Sequence, residues 1–213
     1  MNNTKMLEML NEGRIDELKA VLQDEIYAKN LNKTPDAKKR YAAMKKYFKM
    51  VDSSREVCQK PCAIKFEGRP YNSFTNSYSL ALTTESCGEI TMFDTERLNY
   101  PDISRLVDTT GPEGKIDILK VIAEAKSKGY KLKKSELMRN DYLMRYNGAY
   151  FRIGLLDSTY AIIANDEVPS VYHSGGGRGK LTVVNDIGIC VVMPVYMEGG
   201  PDENAVVVEV ENQ

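Results

Sequence analysis

The clearest alternation of apolar and polar positions lies in the last quarter of the sequence. Two apolar runs, Leu181–Val184 and residues 189–193, flank the polar stretch Asn-Asp-Ile-Gly. Short apolar runs bounded by turn residues are more often buried strands than helices. Pro194 cannot donate a ladder hydrogen bond, so the second strand should end at an edge or bend there. The pattern predicts a buried β-hairpin.

Helical spacing of apolar residues marks three other segments. Residues 4–30 predict an amphipathic helical hairpin, interrupted at Gly13. Residues 36–53 predict a helix that Asp36 caps, and residues 115–128 predict another that stops at Gly129. The expected apolar stripes are Tyr41, Met44, Phe48 and Val51 on the first of these two helices, and Ile118, Leu119, Ile122 and Ala125 on the second.

Strand-like segments separate these helices. Residues 74–84 predict one strand with Tyr78, Leu80 and Leu82 on one face, and residues 89–93 predict another. Short strands are also expected at 62–67, around 132, at 141–146, 150–153 and 169–172, and a helix that Asp157 or Ser158 caps is expected to run to Ala164. Residues 205–210 are predicted to form either an added edge strand or a mobile tail. The fold class is therefore α+β, with antiparallel sheets.

The polar, Gly- and Pro-containing stretch 108–114 is the best candidate boundary in the chain. The predicted organisation is an amino-terminal helical extension at 1–34, folded units at 35–110 and 111–197, and an acidic tail at 198–213.

Composition narrows the class of protein. The 213 residues are 42% hydrophobic and 28% charged, which is typical of a globular chain. With a net charge of -1, global electrostatics recruit neither nucleic acid nor membrane. There is no signal-peptide pattern and no apolar run long enough to span a bilayer, so we expect a cytoplasmic protein.

Catalytic chemistry finds little support in the sequence. Cys58 and Cys62 do not have the spacing of a zinc ribbon, and free thiols are favoured for all four cysteines. The single histidine, His173, precedes a glycine-rich stretch that we expect to be a flexible turn. Residues 174–180 fail the P-loop pattern and precede a strand. We predict no enzyme, no metal and no cofactor; the alternative is a phosphate-ligand enzyme using the glycine-rich loop from Gly175 to Lys180, in which Arg178 and Lys180 could contact an anion.

Lysines cluster on the two internal helices. Such clusters are usually solvated faces, but they also resemble the electrostatic footprint of phosphate-backbone binding. Arg40 is counted with the first cluster. The candidate DNA-facing residues are Lys38, Lys39, Lys45, Lys46, Lys49, Lys120, Lys126 and Lys128.

Four segments, in order, resemble the bacterial DNA polymerase III β subunit, the sliding clamp. Residues 74–82 are similar to the strand pattern Ala-Thr-Asp-Gly-(His/Tyr)-Arg-Leu-Ala, and residues 100–107 to Phe-Pro-Asp-Tyr-Arg-Arg-Val-Leu. Residues 151–163 resemble the entry into the final helix, and residues 190–195 resemble Val-Val-Met-Pro-Met. The resemblance spans about 36–197, which corresponds to the later part of the second clamp domain and a shortened third domain.

This resemblance implies a clamp-like α+β fold, with helices on one face of antiparallel sheets. It also implies a surface pocket for short linear motifs of replication and repair proteins. An apolar crevice with a basic rim would suit an extended peptide with Leu or Phe anchors. Carried over by position, the pocket comprises Thr75, Ser77, Tyr78, Leu80, Pro101, Arg105, Leu106, Val191, Met193 and Pro194.

The departures from the family pattern affect ring closure more than the fold. Ser77 replaces a Gly and Ser79 an Arg, and the family's first domain has no counterpart. A ring around double-stranded DNA would therefore need about three copies of a two-domain chain or a different partner. We expect a non-enzymatic clamp-like protein of a phage or mobile element; the alternative is a clamp-fold regulatory module that does not encircle DNA.

Overall fold

A computed structural model of the chain describes residues 7, 9–15, 18, 34–50, 55–95 and 100–211. Most of the helical hairpin predicted at 4–30, and Val51, lie outside the described residues. The strands are β1 Cys62–Phe66, β2 Arg69–Thr75, β3 Ser79–Thr83, β4 Glu113–Lys115, β5 Tyr142–Tyr146, β6 Ala149–Arg152, β7 Ser170–His173, β8 Leu181–Val184, β9 Gly188–Val192 and β10 Val206–Val210. The helices are α1 Pro35–Met50, α2 Ile118–Ser127 and α3 Ile153–Tyr160.

The strands form two sheets. The larger is antiparallel throughout, in the order β1-β2-β3-β9-β8-β7-β4. The smaller has the order β10-β5-β6, with β5 antiparallel to β6 but parallel to β10. The fold class is α+β, as predicted, and residues 206–210 form an edge strand.

The hairpin predicted at 181–193 is confirmed as β8 and β9. The side-chain Oδ1 of Asn185 closes its turn by accepting hydrogen bonds from the backbone N–H groups of Ile187 and Gly188, both at 3.0 Å. β9 ends at Val192 and lies between β3 and β8, so its position is central rather than at an edge. Beyond Pro194 the chain crosses to the smaller sheet, where the backbone N–H of Val195 donates to the Tyr150 carbonyl at 2.8 Å.

Three strand predictions are wrong. Residues 74–84 are not one strand, because Asn76, Ser77 and Tyr78 form a turn between β2 and β3. Ser77 adopts a left-handed conformation with φ of 73°, which the sequence did not indicate because no glycine is present. Residues 89–93 form a turn and irregular backbone. No strand lies around residue 132.

The helix boundaries differ from prediction at their caps. Thr34, not Asp36, caps α1 by accepting the Ala37 N–H at 3.2 Å. Asp117 caps α2 by accepting the Lys120 N–H at 2.9 Å, and Lys115 belongs to β4 instead. α3 begins at Ile153, before the predicted caps Asp157 and Ser158, and all its residues are buried.

Two apolar clusters lie on opposite faces of the larger sheet. Phe74, Ala81 and Cys190 point into the main core, which also contains residues of all three helices and the inner side of the smaller sheet. Leu80, Leu82, Ile189 and Val191 face the other way and are covered by the segment around Ile103. Strands on both sides of residues 108–114 thus belong to one sheet and pack on one core. The division into two folded units at 108–114 stays a prediction.

Candidate functional site

An apolar crevice lies on the second face of the larger sheet, where β3 begins and β9 ends. Its volume is about 220 Å³. Leu80 and Val191 are paired neighbours in β3 and β9, and each is 2% exposed. The complete lining is Arg55, Val57, Cys58, Thr75, Ser77, Tyr78, Ser79, Leu80, Pro101, Ile103, Leu106, Val191 and Met193.

The structure brings together eight of the ten residues that the sequence assigned to the peptide pocket. They come from three segments, 75–80, 101–106 and 191–193, which lie up to a hundred or so residues apart in the chain. The eight are Thr75, Ser77, Tyr78, Leu80, Pro101, Leu106, Val191 and Met193. Pro194 does not line the crevice. The Arg105 side chain is 86% exposed and pairs with Asp102, 3.3 Å from its Oδ2.

The turn between β2 and β3 forms one wall. Asn76 Oδ1 accepts hydrogen bonds from the backbone N–H groups of Tyr78 at 3.0 Å and Ser79 at 2.8 Å. The Ser77 N–H donates to Thr75 Oγ1 at 3.3 Å, and the Ser77 hydroxyl lies 3.3 Å from Cys58 Sγ. These bonds hold Ser77 in the left-handed region, which a serine rarely occupies. The wall is therefore shaped before any ligand arrives.

Ser79 stands where the clamp pattern has an arginine, and it is directed into the core. Its hydroxyl lies 2.7 Å from Thr159 Oγ1 and 3.5 Å from the Tyr47 hydroxyl, and the residue is 4% exposed. Burial raises the pKa of Tyr47 well above its ordinary value, so this hydroxyl stays neutral. The wall is thereby tied to α1 and α3.

The opposite wall is a short 3-10 helix, Ile103–Arg105. Asp102 caps it by accepting the Ser104 N–H at 3.0 Å and the Ser104 hydroxyl at 2.6 Å, and these bonds lower the pKa of the carboxyl group. Lys180 Nζ donates to the Arg105 carbonyl at 2.9 Å. Lys180 of the glycine-rich loop and the capping residue Asp102 therefore both hold this 3-10 helix in place.

Met193 and Tyr78 form the rim. The backbone N–H of Met193 donates to the Tyr78 carbonyl at 2.9 Å, just beyond the last ladder pair of β3 and β9. Tyr78 is 48% exposed and Met193 is half-buried. A flexible thioether and an exposed ring at the mouth of an apolar crevice suit a variable apolar ligand.

Five lining residues were not in the sequence prediction: Arg55, Val57, Cys58, Ser79 and Ile103. Ser79 and Ile103 lie within the segments that carry the clamp resemblance, so those segments contained the signal. Residues 55–58 have no apolar periodicity, and nothing in the sequence marked them. Arg55 brings a positive charge to the crevice, in place of the one expected from Arg105.

The predicted DNA-facing lysines are all exposed. Three of the eight form local ion pairs: Lys39 with Asp36 at 2.9 Å, Lys126 with Asp157 at 3.4 Å and Lys128 with Glu124 at 2.8 Å. Lys38, Lys45, Lys46 and Lys49 lie on the outer side of α1, and Lys120 on that of α2. Arg40 is different, because it is 7% exposed and pairs with Glu85 inside the protein.

The predicted stripes of both helices also need correction. Tyr47 is buried although it was not assigned to the α1 stripe, while Tyr41 and Phe48 are only partly buried. On α2, Val121 is buried and Leu119 is 45% exposed.

The sequence placed His173 beside a flexible turn, whereas it is the last residue of β7 and is 1% exposed. Its Nε2–H donates to the Gly179 carbonyl at 3.1 Å, and burial lowers the pKa of the ring. The four cysteines are free and buried. Within the described ranges, no group of three Asp, Glu, His or Cys side chains is arranged to hold a metal ion.

Comparisons with known proteins do not assign the chain to a family. No protein-family model matches the chain, and no curated protein does either. In the described part of the chain, no helix has the length and apolar character needed to cross a membrane.

Proposed function

We propose that the chain is a non-enzymatic, sliding-clamp-like protein that docks short segments of replication or repair proteins in the apolar crevice. The observation that carries this proposal is the convergence of residues 75–80, 101–106 and 191–193 on one cavity. They belong to three of the four segments whose sequences resemble the sliding clamp.

The shape and chemistry of the crevice suit a peptide better than a small cofactor. Its volume of about 220 Å³ is below the range of roughly 300–1,000 Å³ that is usual for small-molecule pockets. It can hold one or two apolar side chains of an extended segment, whose alternate residues project to the same side. Leu80, Ile103 and Val191 would contact those anchors, with Tyr78 and Met193 closing over them.

Duplex DNA is the second partner in this proposal. The exposed lysines of α1 and α2 would contact phosphates without reading bases. Such binding weakens steeply as salt rises, because each phosphate contact releases counterions. A closed ring around DNA would require several copies of the chain.

The decisive experiment measures binding of a fluorescein-labelled extended peptide with alternating Leu and Phe residues, by anisotropy, to the wild type and to Met193→Lys. A lysine at the rim places a charge against an apolar ligand, so we expect affinity to fall at least about tenfold, roughly 1.4 kcal/mol. Val168→Lys is the matched control, because Val168 is 44% exposed and does not line the crevice. Unchanged melting of both variants shows that folding is intact.

A wild-type protein that binds no such peptide at high micromolar concentration would overturn the docking proposal. Equal affinities for Met193→Lys and Val168→Lys would do the same.

A second candidate is a regulatory module that uses the crevice but does not encircle DNA. Two observations favour it: acidic neighbours pair with three of the eight candidate lysines, and the chain's net charge is -1. Light scattering with and without duplex DNA separates the two candidates. A ring gives a closed oligomer that retains DNA, whereas the regulatory module gives a species of unchanged mass that still binds the peptide.

A further inference from the structure

The first strand of the larger sheet has an open edge. β1 is the terminal strand of that sheet, and among the described residues no strand bonds its outer side. The backbone N–H of Phe93 donates to the Pro61 carbonyl at 2.7 Å, so the edge is closed just before β1 begins. Beyond that point Ala63 and Lys65 are exposed. Such an edge presents backbone donors and acceptors that can pair with another chain.

The register of β1 with β2 shows which backbone groups face outward. Antiparallel strands alternate between residue pairs that exchange hydrogen bonds and pairs that do not. Pro70 has no N–H to donate, so its partner Lys65 belongs to a pair of the second kind, and so does Ala63, two residues earlier. The N–H and C=O groups of Ala63 and Lys65 therefore point away from β2. The Ala63 carbonyl oxygen also lies 3.6 Å from Cys62 Sγ, a weak donor that leaves one lone pair for a stronger one.

A groove of about 690 Å³ borders this edge. Ile64 and Phe66 line it on the side of β1, and residues 100–110 line it on the other side. Lys65 lines it too, although alternation directs its side chain to the face of β1 opposite Ile64 and Phe66. The groove therefore extends over the edge of the strand, where the outward backbone groups lie.

The groove adjoins the apolar crevice. Pro101 and Ile103 line both, so one short segment separates the two. The crevice lies towards the start of β1, because Cys58 lines it, whereas the later residues 64–67 line the groove. A peptide that runs in the direction opposite to β1 would therefore pass the groove first and reach the crevice with its later residues.

We propose that the residues preceding the apolar anchors of the docked peptide add to β1 as an antiparallel strand. This strand addition rests on the docking proposal and extends it from the anchors to the residues before them. Backbone groups of the peptide bond those of Ala63 and Lys65, and every second side chain lies over Ile64 and Phe66 in the groove. The partner is then an extended segment that lacks proline before its anchors and has apolar residues there at alternate positions.

A small molecule is a weaker fit for the groove. The volume lies within the range of about 300–1,000 Å³ that suits small ligands, but only another peptide backbone matches the spacing of donors and acceptors along a strand edge. A second copy of the chain that paired through β1 would cover the same edge without using the crevice, and the oligomeric state distinguishes it from a peptide.

The test compares three labelled peptides by anisotropy. One has only alternating Leu and Phe anchors, one has six alternating Val and Thr residues before those anchors, and one has the same six residues after them. We expect the preceding flank to tighten binding at least about tenfold, because backbone hydrogen bonds form at an edge that is already ordered. The following flank should change the affinity little, since it would leave the crevice on the side away from the groove.

Backbone methylation of the flank tests the hydrogen bonds without altering the protein. A peptide residue opposite Lys65 exchanges hydrogen bonds with it, whereas a residue opposite Ile64 directs its side chain over the groove and bonds nothing on β1. Val should occupy the second kind of position and Thr the first. N-methylation of the Thr residues should therefore abolish the gain, and N-methylation of the Val residues should preserve it.

Two measurements on the protein accompany this comparison. In amide hydrogen exchange, the peptide with the preceding flank should protect Ala63 and Lys65, and the short peptide should not. Ala63→Pro removes an outward donor at an edge position and should abolish the gain, while binding of the short peptide stays the same. Ala63→Ser keeps the N–H group and is the matched control, with melting curves of both variants to check folding.

Equal affinities of the three peptides would overturn the proposal, and so would equal losses on methylating Thr and Val. A free protein that is already dimeric, with Ala63 and Lys65 protected before any peptide is added, would overturn it in favour of a second copy at the edge. The short peptide decides the docking proposal separately. If it does not bind, docking in the crevice fails, whereas binding without any gain from the flank removes only the strand addition.

Discussion

Arg40 lies on the helix that carries the lysine cluster, yet the structure gives it a different role. Its Nη1 donates to the Ala164 carbonyl at 2.8 Å, and its Nη2 pairs with Glu85 Oε1 at 2.5 Å. The two side chains are only 8% and 15% exposed. Arg40 therefore fastens α1 to the loop after β3 and to the end of the α3 region.

Replacement by methionine keeps much of the apolar stem of Arg40 and removes only the guanidinium. The Glu85 carboxylate and the Ala164 carbonyl then lose a buried donor. Removing one partner of a buried ion pair costs about 3–5 kcal/mol, and the partial exposure of Glu85 favours the lower end. For a chain of this size each kcal/mol shifts Tm by about 2–4 °C, so we expect Arg40→Met to lower Tm by about 6–12 °C.

Thermal unfolding followed by circular dichroism measures this shift, with urea unfolding as a second probe. Lys38→Met is the matched control, because Lys38 is exposed on the same helix and its loss should move Tm by less than about 2 °C. Glu85→Gln should be milder than Arg40→Met, since its amide oxygen still accepts a hydrogen bond. Equal, small shifts in Tm for Arg40→Met and Lys38→Met would show that Arg40 is not buried and that it lies in solvent with the lysines of α1.

Two further predictions concern the glycine at the start of β9 and the buried histidine. Gly188→Ala should destabilise the protein by about 3 kcal/mol or more in urea unfolding, because its Cβ would overlap the Leu82 carbonyl oxygen. Gly177→Ala, where the nearest atom is 3.6 Å away, is the control and should change little. Stability should fall as pH drops below about 6.5, because unfolded His173 takes up a proton there while the folded ring, with its lowered pKa, does not. His173→Gln should flatten that part of the stability–pH curve, and an unchanged curve would contradict the assignment.

The sequence was most informative where side-chain pattern and turn chemistry agreed. The β8–β9 hairpin follows from two apolar runs around Asn185 and Gly188, whose roles in the turn are the ones their chemistry predicts. The turn at Ser77 was missed because its left-handed backbone depends on hydrogen bonds that the side chains of Asn76 and Thr75 accept, and the apolar alternation of residues 74–84 does not reveal them.

Long-range contacts account for the other errors. From the sequence alone, a charged residue such as Arg40 is predicted to lie at the surface, because its buried partner Glu85 is not apparent. Tyr47 is likewise left out of the apolar stripe, because its contacts with Ser79 and Thr159 are not apparent. The crevice residues came from sequence resemblance rather than from periodicity, since apolar patterning cannot say which strand ends meet. Arg55 joins the crevice through a loop that carried no signal at all.

The central position of β9 has a consequence for the order in which the protein can fold during synthesis. β3 bonds β2 on one side, but its other edge is filled only by β9, which leaves the ribosome roughly a hundred residues later. At about 5–20 residues per second, that edge stays unpaired for roughly 5–20 s. During that time, the unpaired N–H and C=O groups of β3 can pair with another chain, so the strand is a site for aggregation or for chaperone binding. Nascent chains stalled just before residue 188 should therefore aggregate, whereas chains stalled after β9 has emerged should stay soluble.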